Sequence, residues 1–207
     1  MTKYYLFIAV LFILLSIGLL GSGCATKPVP EIITYTLDVV AREKINPSEK
    51  PVTGIIKVAI PQSSAAIMSR QILYQDKGNI QNAYLYSRWS EIPNKMLAQL
   101  LLAYLNQKQV FSTVLPTYSK GREEFLLEST LSEFYHHINA DGSSTGRVRI
   151  KFYLIDVKLG QVVATKEIFS DINASSLDAR GAVSALNTAS QDIAIELAEW
   201  LATVKRH

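Results

Sequence analysis

Arg147-Val148-Arg149-Ile150-Lys151-Phe152-Tyr153-Leu154 is the stretch whose reading decides the fold. Successive side chains of an extended chain point to opposite sides. Val148, Ile150, Phe152 and Leu154 therefore share one face, while Arg147, Arg149, Lys151 and Tyr153 share the other. One covered face and one wet face is the mark of an antiparallel sheet packed on a single side. Upstream, Asn139-Ala140-Asp141-Gly142-Ser143 has turn composition and joins this strand to another running from Phe125 to Ile138. Downstream, Lys158-Leu159-Gly160-Gln161 turns the chain back into Val162 to Phe169. The economical arrangement is an antiparallel meander.

The apolar face needs a cover, and two amphipathic stretches supply it. Ser90 can cap a helix with Pro93 in its first turn. Met96, Leu97, Leu100, Leu101, Tyr104 and Leu105 then recur at spacings of three and four. A second helix begins around Asp178 to Ala182, with Ala185, Leu186, Ala189, Ile193, Leu197, Trp200, Leu201 and Val204 on its stripe. The small residues at its start predict close approach to the sheet. Earlier strands are expected at Thr34 to Val39, at Gly54 to Ile60 (stopped by Pro61) and at Phe111 to Leu115 (stopped by Pro116). Arg70 to Tyr74 and Ala83 to Trp89 form a pair around the turn Asp76-Lys77-Gly78-Asn79. Regular alternation places Tyr84, Tyr86 and Arg88 on one face, and Ala83, Leu85, Ser87 and Trp89 on the other. The expectation is an α+β domain: a mainly antiparallel sheet of about seven strands with two amphipathic helices packed on one face.

The amino terminus is organised differently. Lys3 is followed by an uncharged run from Tyr4 to Leu20, then by Gly21-Ser22-Gly23 and the single cysteine, Cys24. A basic tip, an apolar middle and a small-residue exit is the layout of a secretory signal. A cysteine at that exit resembles the bacterial lipobox, whose thiol receives a diacylglyceryl group before cleavage. One departure is that Gly21 stands where the lipobox usually has Leu, with Leu20 one place further back. The reading is a lipoprotein signal peptide over 1–23, a lipidated Cys24 with its tether over 24–33, and a single domain over 34–207. Pro28 and Pro30 discourage helix in the tether. From Cys24 to Tyr35 the chain can reach roughly 35 Å when extended. The competing reading is an uncleaved transmembrane anchor, because the apolar run exceeds a usual signal core of about 7–15 residues and approaches the roughly 20 that span a bilayer. Both readings place the domain outside the cytoplasm.

A formal net charge of +3 is too balanced to imply a nucleic-acid partner. With Cys24 acylated, no thiol remains for a disulfide, a metal site or a nucleophile. No Gly-x-Ser-x-Gly elbow or Gly-rich phosphate cradle occurs in the domain. His136 and His137 are adjacent in a predicted strand, so their rings diverge and cannot close on one metal. No catalytic residue, metal site or cofactor is expected. Glu133, Asp156 and Glu167 are the carboxylates whose substitution would test an envelope hydrolase. Arg147, Arg149 and Lys151 form a basic row on the wet face, suited to an acidic partner or anionic head groups. Tyr84 and Tyr86 flank a hairpin whose aromatics must be covered by its own helix or by another chain. These five residues and Arg88 are the candidate partner-binding residues.

Several segments follow one another in a familiar series. Tyr35-Thr36-Leu37 lies soon after the cysteine, and Ile56-Lys57-Val58-Ala59-Ile60-Pro61 comes next. Tyr86-Ser87-Arg88-Trp89-Ser90-Glu91-Ile92-Pro93 then precedes a Leu-rich helix. Phe111-Ser112-Thr113-Val114, Leu131-Ser132-Glu133-Phe134 and a closing helix with Ala185 and Trp200 complete the series. It resembles the ABC-type transport auxiliary lipoproteins, which include the paraquat-inducible protein C type that accompanies mammalian-cell-entry (MCE) domain lipid transporters in Gram-negative envelopes. The resemblance implies a non-enzymatic subunit, lipid-anchored in the outer membrane and facing the periplasm. It would dock on a periplasmic MCE protein that carries phospholipid, contribute to envelope integrity and be able to form a homo-oligomeric ring. Ala25 fits the outer membrane, since lipoproteins held at the inner membrane typically carry Asp after the cysteine. The residues leave open a lipid-binding carrier with an apolar pocket between sheet and helices.

Overall fold

A computed structural model describes residues 3–5, 30–38, 52–76 and 80–204. The chain divides into two compact units, 1–31 and 32–207, and every strand and both long helices lie in the second. Cys24, the lipobox, most of the tether, the turn residues 77–79 and His207 lie outside the described residues. Among the described residues no helix is long and apolar enough to cross a membrane.

The strands are β1 (Ile33–Tyr35), β2 (Val52–Val58), β3 (Gln62–Ser63), β4 (Gln71–Asp76), β5 (Ile80–Trp89), β6 (Phe111–Pro116), β7 (Phe125–Ile138), β8 (Ser144–Asp156) and β9 (Gln161–Asn173). Helix α1 (Pro93–Lys108) lies between β5 and β6, and α2 (Ala179–Thr203) follows β9. The meander is present as expected: β7 pairs antiparallel with β8 and β8 with β9, over almost their full lengths. Its turns use the left-handed region where only glycine is at ease, with φ of 85° at Gly142 and 64° at Gly160. Asp141 accepts from the Ser143 amide and hydroxyl at 2.9 and 2.7 Å, which holds its carboxyl below its ordinary range.

The rest of the sheet corrects the expectation of a mainly antiparallel arrangement of about seven strands. Among the described residues nine strands form one mixed sheet. The second edge of β7 is lined end to end by three short parallel strands, with Lys57 opposite Leu126, Gln62 opposite Thr130 and Tyr74 opposite His136. β2 also pairs in parallel with β6, and β1 with β5. β4 and β5 form the expected antiparallel hairpin. Parallel neighbours need a crossover connection, and the run through β5, α1 and β6 is that crossover. A reading that treats neighbours in sequence as neighbours in space cannot see it.

Both helices pack on the same face of the sheet. Val148, Ile150, Phe152 and Leu154 are buried, as are Leu97, Leu100, Leu101 and Leu105 of α1 and Ile193, Leu197 and Leu201 of α2. In β7 the buried positions are Phe125, Leu127, Ser129 and Leu131, then Phe134 and His136. A register shift between Leu131 and Glu133 makes that change of parity possible. Close approach of α2 is met by Gly146: a Cβ there would lie 2.7 Å from the Leu186 amide nitrogen and 2.8 Å from the Ala185 Cβ. Asp178 caps α2 by accepting from Gly181 N at 2.9 Å. Ser90 does not cap α1. Ile92 holds that position with no side-chain cap bond, Pro93 opens the helix, and the Ser90 hydroxyl reaches Met96 Sδ at 3.7 Å instead. β1 is shorter than expected because Thr36 and Asp38 turn to α2, where Asn187 Oδ1 accepts from Asp38 N at 2.6 Å.

Candidate functional site

The β4–β5 hairpin carries the densest set of sequence candidates, and its geometry departs from regular alternation. Trp89 is buried with its ring centroid 5.7 Å from that of Phe134. The Tyr84 hydroxyl lies 2.7 Å from Nδ1 of His136. Phe134 and His136 are two apart on β7 and therefore share a face. That face is the helix side, since His136 is opposite Gly146, whose missing Cβ points into α2. Tyr84 and Trp89 thus turn to the same side although the step from one to the other is five positions, an odd offset, which an unbroken strand forbids. The pairing of β5 with β4 shifts between Gln71 and Leu73, so Gln71 faces Arg88 while Leu73 faces Ala83. Extra residues of β5 bulge out of the ladder there. This corrects the expected shared face for Tyr84, Tyr86 and Arg88. Tyr84 points inward, while Tyr86 is 48% and Leu85 83% exposed.

The inward cluster is polar but buried. Burial pushes the Tyr84 hydroxyl up to about 12, with Asp178 and Tyr74 adding to the effect. The same burial lowers the His136 pKa against a smaller opposing pull from Asp178. His136 Nε2, His137 Nδ1 and Thr145 Oγ1 are buried with no protein partner. Arg70 Nε donates to the Trp89 carbonyl at 2.9 Å and the Trp89 amide to the Arg70 carbonyl at 2.8 Å, which locks the foot of the bulge. Arg88 Nε donates to Thr34 Oγ1 at 3.3 Å and ties the hairpin to β1.

Arg147, Arg149 and Lys151 lie on the opposite, helix-free face of the sheet, so the six candidate residues do not converge on one patch. Arg147 Nε meets Asp171 at 3.1 Å, and Arg149 meets Glu133 at 2.7 Å and Glu167 at 3.7 Å. Arg149 also sits 4.1 Å above the Phe169 ring, and Lys151 lies 5.6 Å from that of Tyr153. The row is thus a ladder of alternating charge. Two of the three carboxylates singled out for a hydrolase, Glu133 and Glu167, are consumed in it. Asp156 accepts from Leu159 N at 2.9 Å within the β8–β9 turn. Among the described residues no group of three or more His, Cys, Asp or Glu is placed to hold a metal ion.

The far end of the sheet holds a feature that periodicity did not show. A hollow of about 330 Å³ opens where β7 starts, β8 ends and α2 finishes. Phe111, Phe125, Leu154, Val163, Leu201 and Val204 line it, with Glu123, Glu124, Asp156 and Lys158 also in its wall. Lys57 reaches Glu123 at 2.6 Å beside it. Its volume is at the lower end of the range for small-molecule sites. The only sequence signal was the run of apolar strand ends, which reads equally as core.

The sequence matches the family model of the ABC-type transport auxiliary lipoprotein component over residues 35–198. No curated protein matches it. Among solved structures it is similar to protein XCC0632 from Xanthomonas campestris, at 18% identity and a TM-score of 0.73, over 83% of this chain and 95% of that one. A second crystal structure, of an uncharacterized protein, is similar at 13% identity and a TM-score of 0.65, over 83% and 99% of the two chains. At these identities the likeness is one of fold.

Proposed function

We propose, for a chain that belongs to the ABC-type transport auxiliary lipoprotein family, that it is a non-enzymatic adaptor moored to the outer membrane through an acylated Cys24. In this reading it docks on the periplasmic MCE-domain protein of an ABC-type phospholipid transporter, can close into a ring, and helps keep the envelope intact. The observation that carries the reading is the position of the family match, which starts at residue 35, just beyond a lipobox-like cysteine and its Pro-bearing tether. The inward-turned Tyr84 and the ion-paired arginines leave Tyr86, Arg88 and Lys151 as the outward candidates for partner contact. Solubilisation of the envelope in mild detergent, followed by capture of the tagged chain, should recover an MCE protein. Recovery of none, with the chain itself intact, contradicts the docking half of the reading.

A second reading, a lipid-binding carrier, is favoured by the hollow at the far end. It differs from the pocket expected between sheet and helices, because Ile150, Phe152, Ala189 and Ile193 fill that space. Native mass spectrometry of the purified chain decides it. Co-purified lipid that is lost in Phe125→Arg supports a carrier, and a lipid-free chain leaves the adaptor alone.

A further inference from the structure

The exposed apolar residues of the hairpin edge gather where the chain arrives from Cys24. β1 runs parallel to β5 with Ile33 opposite Ser87, so Ile32 and Ile33 pass alongside Tyr86. Ile33 is 50% exposed, Ile32 48%, Tyr86 48% and Leu85 83%. Two of them are presented by the bulge, which turns Tyr84 and Trp89 into the core and leaves Leu85 and Tyr86 outside. A bulge on an edge strand re-aims side chains and costs ladder hydrogen bonds. Here it leaves a leucine and a tyrosine exposed on the strand that pairs with β1.

We infer that Ile33, Leu85 and Tyr86 form a second membrane contact, resting on the bilayer in which the acyl chains of Cys24 are embedded. This rests on the lipid-anchor reading above, and it leaves Arg88 and Lys151 rather than Tyr86 to the protein partner. The short tether supplies the argument for the occupant. From Cys24 to Ile33 the chain, with Pro28 and Pro30 in it, can extend at most roughly 30 Å. The arriving edge of the domain is thereby kept within roughly 30 Å of the lipid surface. Tyrosine suits the head-group layer, with its ring among the upper acyl carbons and its hydroxyl in water. Depth is limited by the backbone. β1 covers only Ser87 to Trp89 of that edge of β5, and strand groups without partners do not enter hydrocarbon. The contact is therefore interfacial.

The test uses the full mature chain carrying Leu85→Cys. Acylation consumes the natural cysteine, so residue 85 offers the one thiol for an environment-sensitive fluorophore. A second variant, Leu159→Cys, puts the same probe at the other end of the sheet, at a position that is also exposed. Both are reconstituted in vesicles of phosphatidylethanolamine and phosphatidylglycerol containing a doxyl-labelled lipid. The expected result is blue-shifted emission at residue 85, with quenching severalfold stronger than at 159. Equal, weak quenching at both positions in a chain that floats with the vesicles overturns the inference while leaving the anchor standing. A probe at 85 that is shielded without quenching, in a manner that depends on protein concentration, means a second copy covers the edge and overturns it too. A chain that does not float overturns the anchor reading, and this inference falls with it.

Discussion

The two halves of the sheet, the one beside β1 and the one around the start of β7, handle apolar surface in opposite ways. Near β1 the interior is tightly filled: Trp89 lies against Phe134, Gly146 admits the α2 backbone, and Tyr84 meets His136. The apolar excess of that half is pushed outward, onto Leu85 and Tyr86. Around the start of β7 the excess is recessed instead, as a hollow walled by Phe125, Leu154 and Leu201. A projecting rim and an open hollow differ in what they can meet. The rim suits a broad flat surface, and the hollow suits something that enters. The difference teaches that one end of the domain spends its large apolar side chains on a filled interior, while the other leaves some of them lining an open hollow.

That contrast can be broken by substitution. Trp89→Ala removes a buried indole from the filled half and should cost about 3–5 kcal/mol, read from urea titration of the mature chain. Leu159→Ala at the rim of the hollow should change stability by less than about 0.5 kcal/mol. Comparable losses at both sites would erase the distinction. Gly146→Val places carbon against the backbone of α2 rather than against a yielding side chain, and should cost about 1–3 kcal/mol.

A pH series sharpens the same point. The folded-state pKa of His136 is depressed by burial, so the unfolded chain binds its proton first as pH falls. Stability is intact above the ordinary imidazole value of 6.5 and declines below it. The melting temperature should therefore drop between pH 7 and pH 5 in the wild type and drop less in His136→Phe. A small effect is expected at Arg149→Ala. Its ion pairs are partly solvated and worth about 0.2–1 kcal/mol, so the loss should shrink further in high salt.

Much of this was legible in the residues. The alternation from Arg147 to Leu154 fixed the meander and its covered face. The stripe from Met96 to Leu105 fixed α1, and the alanines of α2 announced its close contact with the sheet. The parallel pairings of β2, β3 and β4 along β7 were not legible, because each is set by a partner more than sixty residues away or by one too short to show a period. Gln62-Ser63 has no pattern at all. The bulge in β5 hid for a related reason: alternation assumes an unbroken ladder, and the inward turn of both Tyr84 and Trp89 is dictated by Phe134 and His136. The basic row was visible, but the pairing of its two arginines with Asp171, Glu133 and Glu167 depends on register across three strands.

How the domain is moored is measured directly by intact-mass spectrometry of the mature chain from a native envelope. The predicted result is an amino terminus at Cys24 carrying the mass of a diacylglyceryl group, lost in Cys24→Ala. An intact Met1, or an unmodified thiol at Cys24, would contradict it.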